Sequence, residues 1–202
     1  MSRLRAVVPA LLGVTLGSTL LVSAADAQAP APSGPAAASI AQARTAPMPP
    51  KSVWLAKVRK KLVGAKDYLD AHAKDAPHPA LVLDIDNTSL QSHYGWPKPV
   101  KPTLRVAKRA VADGYTVFFV TGRTPAGARA AKPALTAAGY VYAGVYGRTK
   151  GAGLAISKQT NRELIVHRGY KIVMDIGNRK TDLSGKHVGH GIKLPSLDGR
   201  LS

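Results

Sequence analysis

The run Leu81-Val82-Leu83-Asp84-Ile85-Asp86-Asn87-Thr88 does most to limit what this chain can become. Four apolar side chains bracket two aspartates one residue apart, and turn-forming polar residues follow. An apolar run ended in this way reads as a strand buried on both faces of a parallel sheet. Open parallel sheets bind ligands beyond the carboxyl ends of their strands. Asp84 and Asp86 are therefore expected at the mouth of a crevice. Two adjacent carboxylates repel unless a cation or a shared proton relieves them. The pair predicts a metal site with covalent chemistry.

Elements on either side support a layered α/β fold. Val53, Leu55, Val58, Leu62, Ala65, Leu69 and Ala73 recur at helical spacing and predict one amphipathic helix over 53–74. Residues 91–102, with three prolines, Gly95, Tyr94 and Trp96, read as a loop over the crevice. Thr103 is expected to cap a helix running to Asp113, with Gly114 just past its end. A second strand follows at Tyr115–Val120. Thr124-Pro125 has the form of a helix start, and Pro133 is expected to break that helix and begin another. Tyr140–Tyr146, a helix from Ser157 to Arg168, and a strand at Tyr170–Ile176 complete the pattern. Strands alternating with helices predict a three-layer α/β sandwich with a mainly parallel sheet.

The first residues read differently. Arg3 and Arg5 precede a weakly apolar stretch to Val22, followed by small residues and Ala27-Gln28-Ala29. This is the layout of a secretory signal peptide over 1–29, not of a stable membrane anchor. Residues 30–51, rich in Ala and Pro, read as a disordered tether, which leaves 52–202 as one domain. The chain has no cysteine, which excludes disulfides, thiolate metal sites and cysteine nucleophiles. Its net charge is +18. Such a charge attracts anions such as phosphorylated small molecules. The basic residues are spread along the chain, with no recognisable nucleic-acid module, so no specific nucleic-acid partner is expected.

Each apolar strand is followed by a polar cluster. Asp84, Asp86, Asn87 and Thr88 follow the first; Thr121, Gly122 and Arg123 the second; Gly177, Asn178 and Asp182 the fourth. Lys158 lies near the start of the helix before that fourth strand. Parallel strands bring all these ends to one edge. The residue types suit phosphoryl transfer, which needs a nucleophile, a cation over the phosphate oxygens and shaped donors. Asp84 is then the nucleophile and Asp86 the acid and base. Thr121, Gly122 and Lys158 would hold the phosphoryl oxygens. Asp84, Asp86 and Asp182 would hold magnesium, with carboxylates from Asp84 and Asp182, a backbone carbonyl and waters as oxygen ligands. Arg123 is expected either to reach substrate phosphate or to pair with Asp175 or Asp182.

Taken together, the chain resembles the secreted acid phosphatases of the haloacid dehalogenase superfamily. DIDNT at 84–88, VFFVTGR at 117–123, Lys158 in ISKQTNR and DIGNRKTDLSG at 175–185 look like that family's four motifs in order, and the close IKLPSLDGRLS is similar to some members. The resemblance implies a Rossmann-like core, but the short stretch between Thr88 and Thr121 leaves room for only a minimal cap or none in place of the family's larger one. It also implies a magnesium-dependent phosphomonoesterase working at acid pH, with small phosphorylated substrates and export from the cell. One position departs from the pattern. The fourth motif usually carries an acid where this chain has Asn178, so weaker magnesium affinity or an altered metal preference is expected. Asn178 is then a residue behind the site or in contact with substrate. The alternatives are a phosphotransferase, or a relative that binds phosphate or polyanions without turnover.

Overall fold

The computed structural model describes residues 47–201; the expected signal peptide, most of the expected tether and Ser202 lie outside them. In chain order the elements are α1 (Lys51–Lys61), α2 (Ala65–His72), β1 (Pro79–Leu83), α3 (Lys101–Ala112), β2 (Thr116–Val120) and α4 (Pro125–Ala137). They continue with β3 (Gly144–Tyr146), α5 (Leu154–His167), β4 (Lys171–Gly177), a 3-10 turn (Lys180–Leu183) and β5 (His190–Lys193).

The strands form one sheet in the order β3-β2-β1-β4-β5, and every pairing is parallel. The chain builds outward from β1 through β2 to β3, then returns to lay β4 on the other side of β1. The direction of winding therefore switches between β1 and β4, where such sheets open a ligand crevice. Alternation along the central strands divides the core. Leu81, Leu83, Val117 and Phe119 pack with residues of α1 to α4, while Ala80, Val82, Phe118 and Val120 pack with Ile165 of α5. Helices thus cover both faces, as the sequence pattern predicts. Between β1 and β2 the described chain holds only a loop and α3, with no separate cap domain.

Several element boundaries differ from the sequence reading. The expected helix over 53–74 is two helices, because Gly64 adopts a left-handed conformation (φ 77°) and ends the first. The periodicity runs through the break because Trp54, Val58, Ala65 and Leu69 are buried in one cluster. Thr103 does not cap α3; Val100 precedes the helix, and Thr103 lies buried inside it. Thr124 does cap α4, accepting from the Gly127 amide at 3.1 Å. Pro133 does not break α4. It is solvent-exposed, while Ala131 and Leu135 beside it are fully buried, so packing holds the helix through a residue that lacks an amide proton. Of Tyr140–Tyr146 only the last three residues pair; Tyr140 instead sends its hydroxyl under the crevice to the Ser89 carbonyl at 3.0 Å. α5 begins three residues earlier than expected, at Leu154. β5 was not anticipated: it is a short edge strand whose sequence, His-Gly-Ile-Lys, carries no apolar run.

Candidate active site

Asp84 directly follows β1, and its amide donates to the Ile176 carbonyl of β4 at 3.0 Å. The switch point therefore holds its backbone. Beyond it the chain turns tightly: Ile85 O accepts from the amides of Ser89 and Leu90 at 2.9 Å each. Asn87 takes the left-handed conformation (φ 53°) that asparagine tolerates better than most residues. The Ser89 hydroxyl donates to the Asp84 carbonyl at 2.7 Å, and Thr88 Oγ1 to Asp84 Oδ2 at 3.3 Å.

Residues far apart in sequence meet here. Lys158, reaching in from α5, donates to Asp84 Oδ1 at 3.0 Å and also to Asp182 Oδ1. All three are buried: Asp84 and Asp182 are 6% exposed and Lys158 is 1%. Burial pushes the Asp84 carboxyl up to about 6, with Lys158 pulling against it and Asp182 adding to it. Burial alone would lower the Lys158 ammonium, but the two aspartates outweigh it and hold it above its ordinary value. Asp182 also accepts from the Arg179 amide at 2.6 Å, which closes the 3-10 turn. Gly177 makes this possible. A Cβ there would lie 2.2 Å from Asp182 Cβ, so only glycine lets the aspartate pack against the end of β4.

Asp86 has different surroundings. Arg123 grips it with two hydrogen bonds, Nε to Oδ2 at 2.8 Å and Nη2 to Oδ1 at 2.6 Å, and the Ser92 hydroxyl donates to Oδ1 at 2.5 Å. Burial pushes the Asp86 carboxyl up, but the bonds from Arg123 and then Ser92 outweigh it and leave it below the ordinary value. Arg123 thus neither pairs with Asp175 nor with Asp182, as the sequence reading allowed, but with Asp86. Its guanidinium also lies 4.6 Å from the centre of the Trp96 ring, and Trp96 is 45% exposed in the loop above. Tyr94 is packed rather than presented: it stacks on Trp54 at 5.0 Å and donates to the Pro49 carbonyl at 2.7 Å.

Thr121 follows β2, the neighbour of β1, and is fully buried; its Oγ1 accepts from the Arg123 amide at 3.3 Å. Gly122 is half-buried against Leu154 at the start of α5. Asn178 is buried, its Nδ2 donating to the Leu201 carbonyl at 2.8 Å while Oδ1 has no hydrogen-bond partner.

Two charges here, Arg162 and Asp175, are buried where the sequence marks no burial. Arg162 lies one helical turn beyond Lys158, on the same face of α5, and is 1% exposed. It donates to the carbonyls of Asp182 (3.0 Å), Lys186 (3.2 Å) and Ser184 and so braces the loop that carries Asp182. The i, i+4 spacing from Lys158 was the available signal. Asp175, inside β4, accepts from the Gly189 amide at 2.9 Å, and burial pushes its carboxyl up to about 7. A cavity of about 10 Å³ lies among Asp84, Lys158, Arg162, Asp175 and Asp182, too small for a phosphoryl group. The larger clefts, of about 460 and 490 Å³, lie among α1, α2 and α3 and contain none of the candidate catalytic, phosphate-binding or metal-binding residues.

The oxygen donors fit a hard divalent cation. Asp84 and Asp182 converge on a single cationic group, and magnesium is commonly held by one or two carboxylates with water and substrate oxygens completing the set. Among the described residues no three acidic, histidine or cysteine side chains gather into a cage. Of the three expected ligands, Asp86 has its carboxylate engaged by Arg123 and Ser92 and has only its backbone carbonyl to offer.

The sequence model of the family described as HAD superfamily, subfamily IIIB (acid phosphatase), matches residues 92–197. That span holds Thr121, Lys158 and Asp182; Asp84 and Asp86 lie just before it. No curated protein matches the sequence. Among solved structures, the class C acid phosphatase from Bacillus anthracis superposes with a TM-score of 0.54 at 18% identity, over 67% of each chain. The same enzyme with tungstate bound gives 0.53 at 17% identity, again over 67% of each. At such identities the likeness shows a common fold.

Proposed function

The chain belongs to the acid phosphatases of HAD subfamily IIIB, phosphoric monoester hydrolases, and from that membership we propose that it is a secreted, magnesium-dependent enzyme working through an aspartyl-phosphate. The observation that carries this reading is the buried Asp84–Lys158 contact of 3.0 Å at the end of β1. It sets a carboxylate nucleophile beside a fixed cation at the switch point of the sheet.

In the first step an Asp84 oxygen attacks phosphorus, and the bond from phosphorus to the leaving oxygen breaks. Asp86 gives its proton to that oxygen. In the second step water attacks the aspartyl-phosphate, Asp86 takes a proton from it, and the bond from Asp84 to phosphorus breaks, releasing phosphate. Lys158 and the Thr121 hydroxyl neutralise and orient the phosphoryl oxygens, helped by backbone amides around Gly122. Asp84, Asp182 and the Asp86 backbone carbonyl would hold magnesium, which supplies charge over the phosphate oxygens when bound.

Arg123 keeps Asp86 ionised, the state that the second step requires. The first step requires it protonated, and because its carboxyl is held below the ordinary value, that step is expected to speed up steadily as pH falls. Small phosphorylated molecules are the proposed substrates. Export rests on the basic, apolar and small-residue succession over residues 1–29.

The test is release of p-nitrophenol from p-nitrophenyl phosphate across pH 4–8, with magnesium or with EDTA, by wild type and Asp84→Asn. Metal-dependent turnover in wild type that disappears in the variant is expected. Turnover that survives Asp84→Asn, or is indifferent to EDTA, defeats the proposed chemistry.

A further inference from the structure

Segment 194–201 leaves β5 and returns to the edge of the sheet that holds the site. Leu194 N donates to the Gly177 carbonyl at 2.8 Å, and the Leu194 and Leu201 side chains are buried in the main core. Between them the chain makes a left-handed turn: φ is 52° at Leu197, 58° at Asp198 and 82° at Gly199. Leucine and aspartate rarely take that conformation, and it persists where surrounding contacts over-determine it. Those contacts include Leu201 N to Ser196 O at 3.0 Å and Arg200 N to Leu197 O at 3.1 Å. Lys193 Nζ adds bonds to the carbonyls of Leu194 (3.2 Å) and Asn178, and to Ser196 Oγ (3.4 Å).

The turn delivers one group, the Leu201 carbonyl. It accepts from Asn87 Nδ2 at 3.0 Å and from Asn178 Nδ2 at 2.8 Å. Asn87 belongs to the loop that carries Asp84 and Asp86; Asn178 belongs to the loop that carries Asp182. Both asparagines are buried. The Asn87 amide is oriented from its other end as well, since its Oδ1 accepts from the His93 amide at 2.9 Å. A carbonyl oxygen accepts two hydrogen bonds and donates none. Both partners must therefore be donors, a demand that asparagine meets and aspartate does not.

We propose that the Leu201 carbonyl is a lock between the two catalytic loops, and that Asn178, through its Nδ2, is a positioning residue for this lock. The inference deepens the phosphatase reading and rests on it for its effect on rate. The lock sets the separation between Asp84 and Asp182 across the switch point, where Lys158 bridges them. An aspartate at 178 faces the Leu201 carbonyl with a carboxylate oxygen, which repels it in a buried site. A cation-ligand role for residue 178 predicts the opposite, since a carboxylate binds magnesium better than an amide.

The experiment compares wild type, Asn178→Ala and Asn178→Asp, each in the full chain and in a chain stopped after Pro195. Two quantities are read. One is kcat and KM for p-nitrophenyl phosphate over a magnesium titration. The other is the rate at which trypsin cuts the Arg200–Leu201 bond of the folded protein, followed by mass spectrometry. In the full chain, kcat is expected to fall in the order wild type, Asn178→Ala, Asn178→Asp, with KM within about twofold. Cleavage at Arg200 is expected to accelerate in the same order. In the shortened chain, Asn178→Asp no longer ranks below Asn178→Ala. A full-length Asn178→Asp that is faster than wild type, or needs less magnesium, overturns the proposal, as does unchanged cleavage at Arg200. The cleavage arm stands if wild type shows no turnover, so failure of the phosphatase reading is told apart from failure of the lock. If the shortened chain does not fold, the order of the three full-length proteins still decides.

Discussion

Replacing Lys158 with Met removes a buried cation while keeping most of the side-chain volume. In the wild type this ammonium is the partner of two buried carboxylates, at 3.0 Å from Asp84 and in direct contact with Asp182. Deleting one member of a buried ionic group costs about 3–5 kcal/mol, because the remaining charges stay desolvated. For a domain of this size each kcal/mol moves the melting temperature by roughly 2–4 °C, so a fall of about 6–20 °C is expected at pH 8 in EDTA. The sign of the pH dependence follows from Asp84. Its carboxyl already sits at about 6, above the ordinary value, and Lys158 is the main influence holding it down. Without Lys158 it rises further, so the variant's deficit is largest above pH 7 and shrinks as pH falls and Asp84 takes up a proton. Thermal melts of both proteins at pH 4.5, 6 and 8 measure this. Magnesium should then raise the melting temperature of Lys158→Met more than that of wild type, because two carboxylates without a counter-ion face a common point. A variant that melts within about 2 °C of wild type at pH 8 in EDTA refutes the reasoning, since that is less than 1 kcal/mol. A deficit that does not change with pH refutes the assignment of its cause to Asp84.

Stability of the metal-free wild type should fall as pH rises from about 4 to 7, because Asp84 and Asp175 titrate in the folded state at about 6 and about 7 and so bind protons that the unfolded chain has already lost. Urea midpoints in EDTA check this, and a midpoint that stays level or climbs between pH 5 and 8 contradicts it. Gly177→Ala places a methyl group 2.2 Å from Asp182 Cβ and must displace that side chain; phosphatase rate should drop by about 100-fold, as for an ångström-scale misplacement of a catalytic group. An alanine variant with full rate would show that Asp182 does not need its observed position. Asp84→Asn should abolish turnover of p-nitrophenyl phosphate while leaving a cooperative melt.

Much of the architecture was legible in the residues themselves. Apolar runs that end in polar clusters signal buried parallel strands, because such strands are covered on both faces and change character only where they meet solvent. Asp84, Thr121, Lys158 and Asp182 could thus be placed at strand ends or beside them, and the structure sets Asp84, Lys158 and Asp182 in contact. Local chemistry also located the start of α4, where Thr124 caps and Pro125 opens the helix.

Tertiary packing decided the rest. Pro133 stays helical because burial of Ala131 and Leu135 outweighs a missing hydrogen bond, and no local rule weighs the two. Arg123 could not be matched to Asp86 from sequence, since a guanidinium on a long side chain reaches several carboxylates and only the fold ranks them. The burial of Arg162 and Asp175 was hidden for a related reason. A charged residue is buried only when distant backbone groups satisfy it, and those groups come from residues 182–189. Asn178 shows the difference most directly. Along the chain it reads as a missing acid in a metal motif, whereas in space it is a donor to the Leu201 carbonyl, 23 residues away. The pattern of apolar and polar residues determined the central strands, the helices between them and the chemistry that collects at the strand ends. Which charge meets which partner was set only when the sheet brought distant loops together.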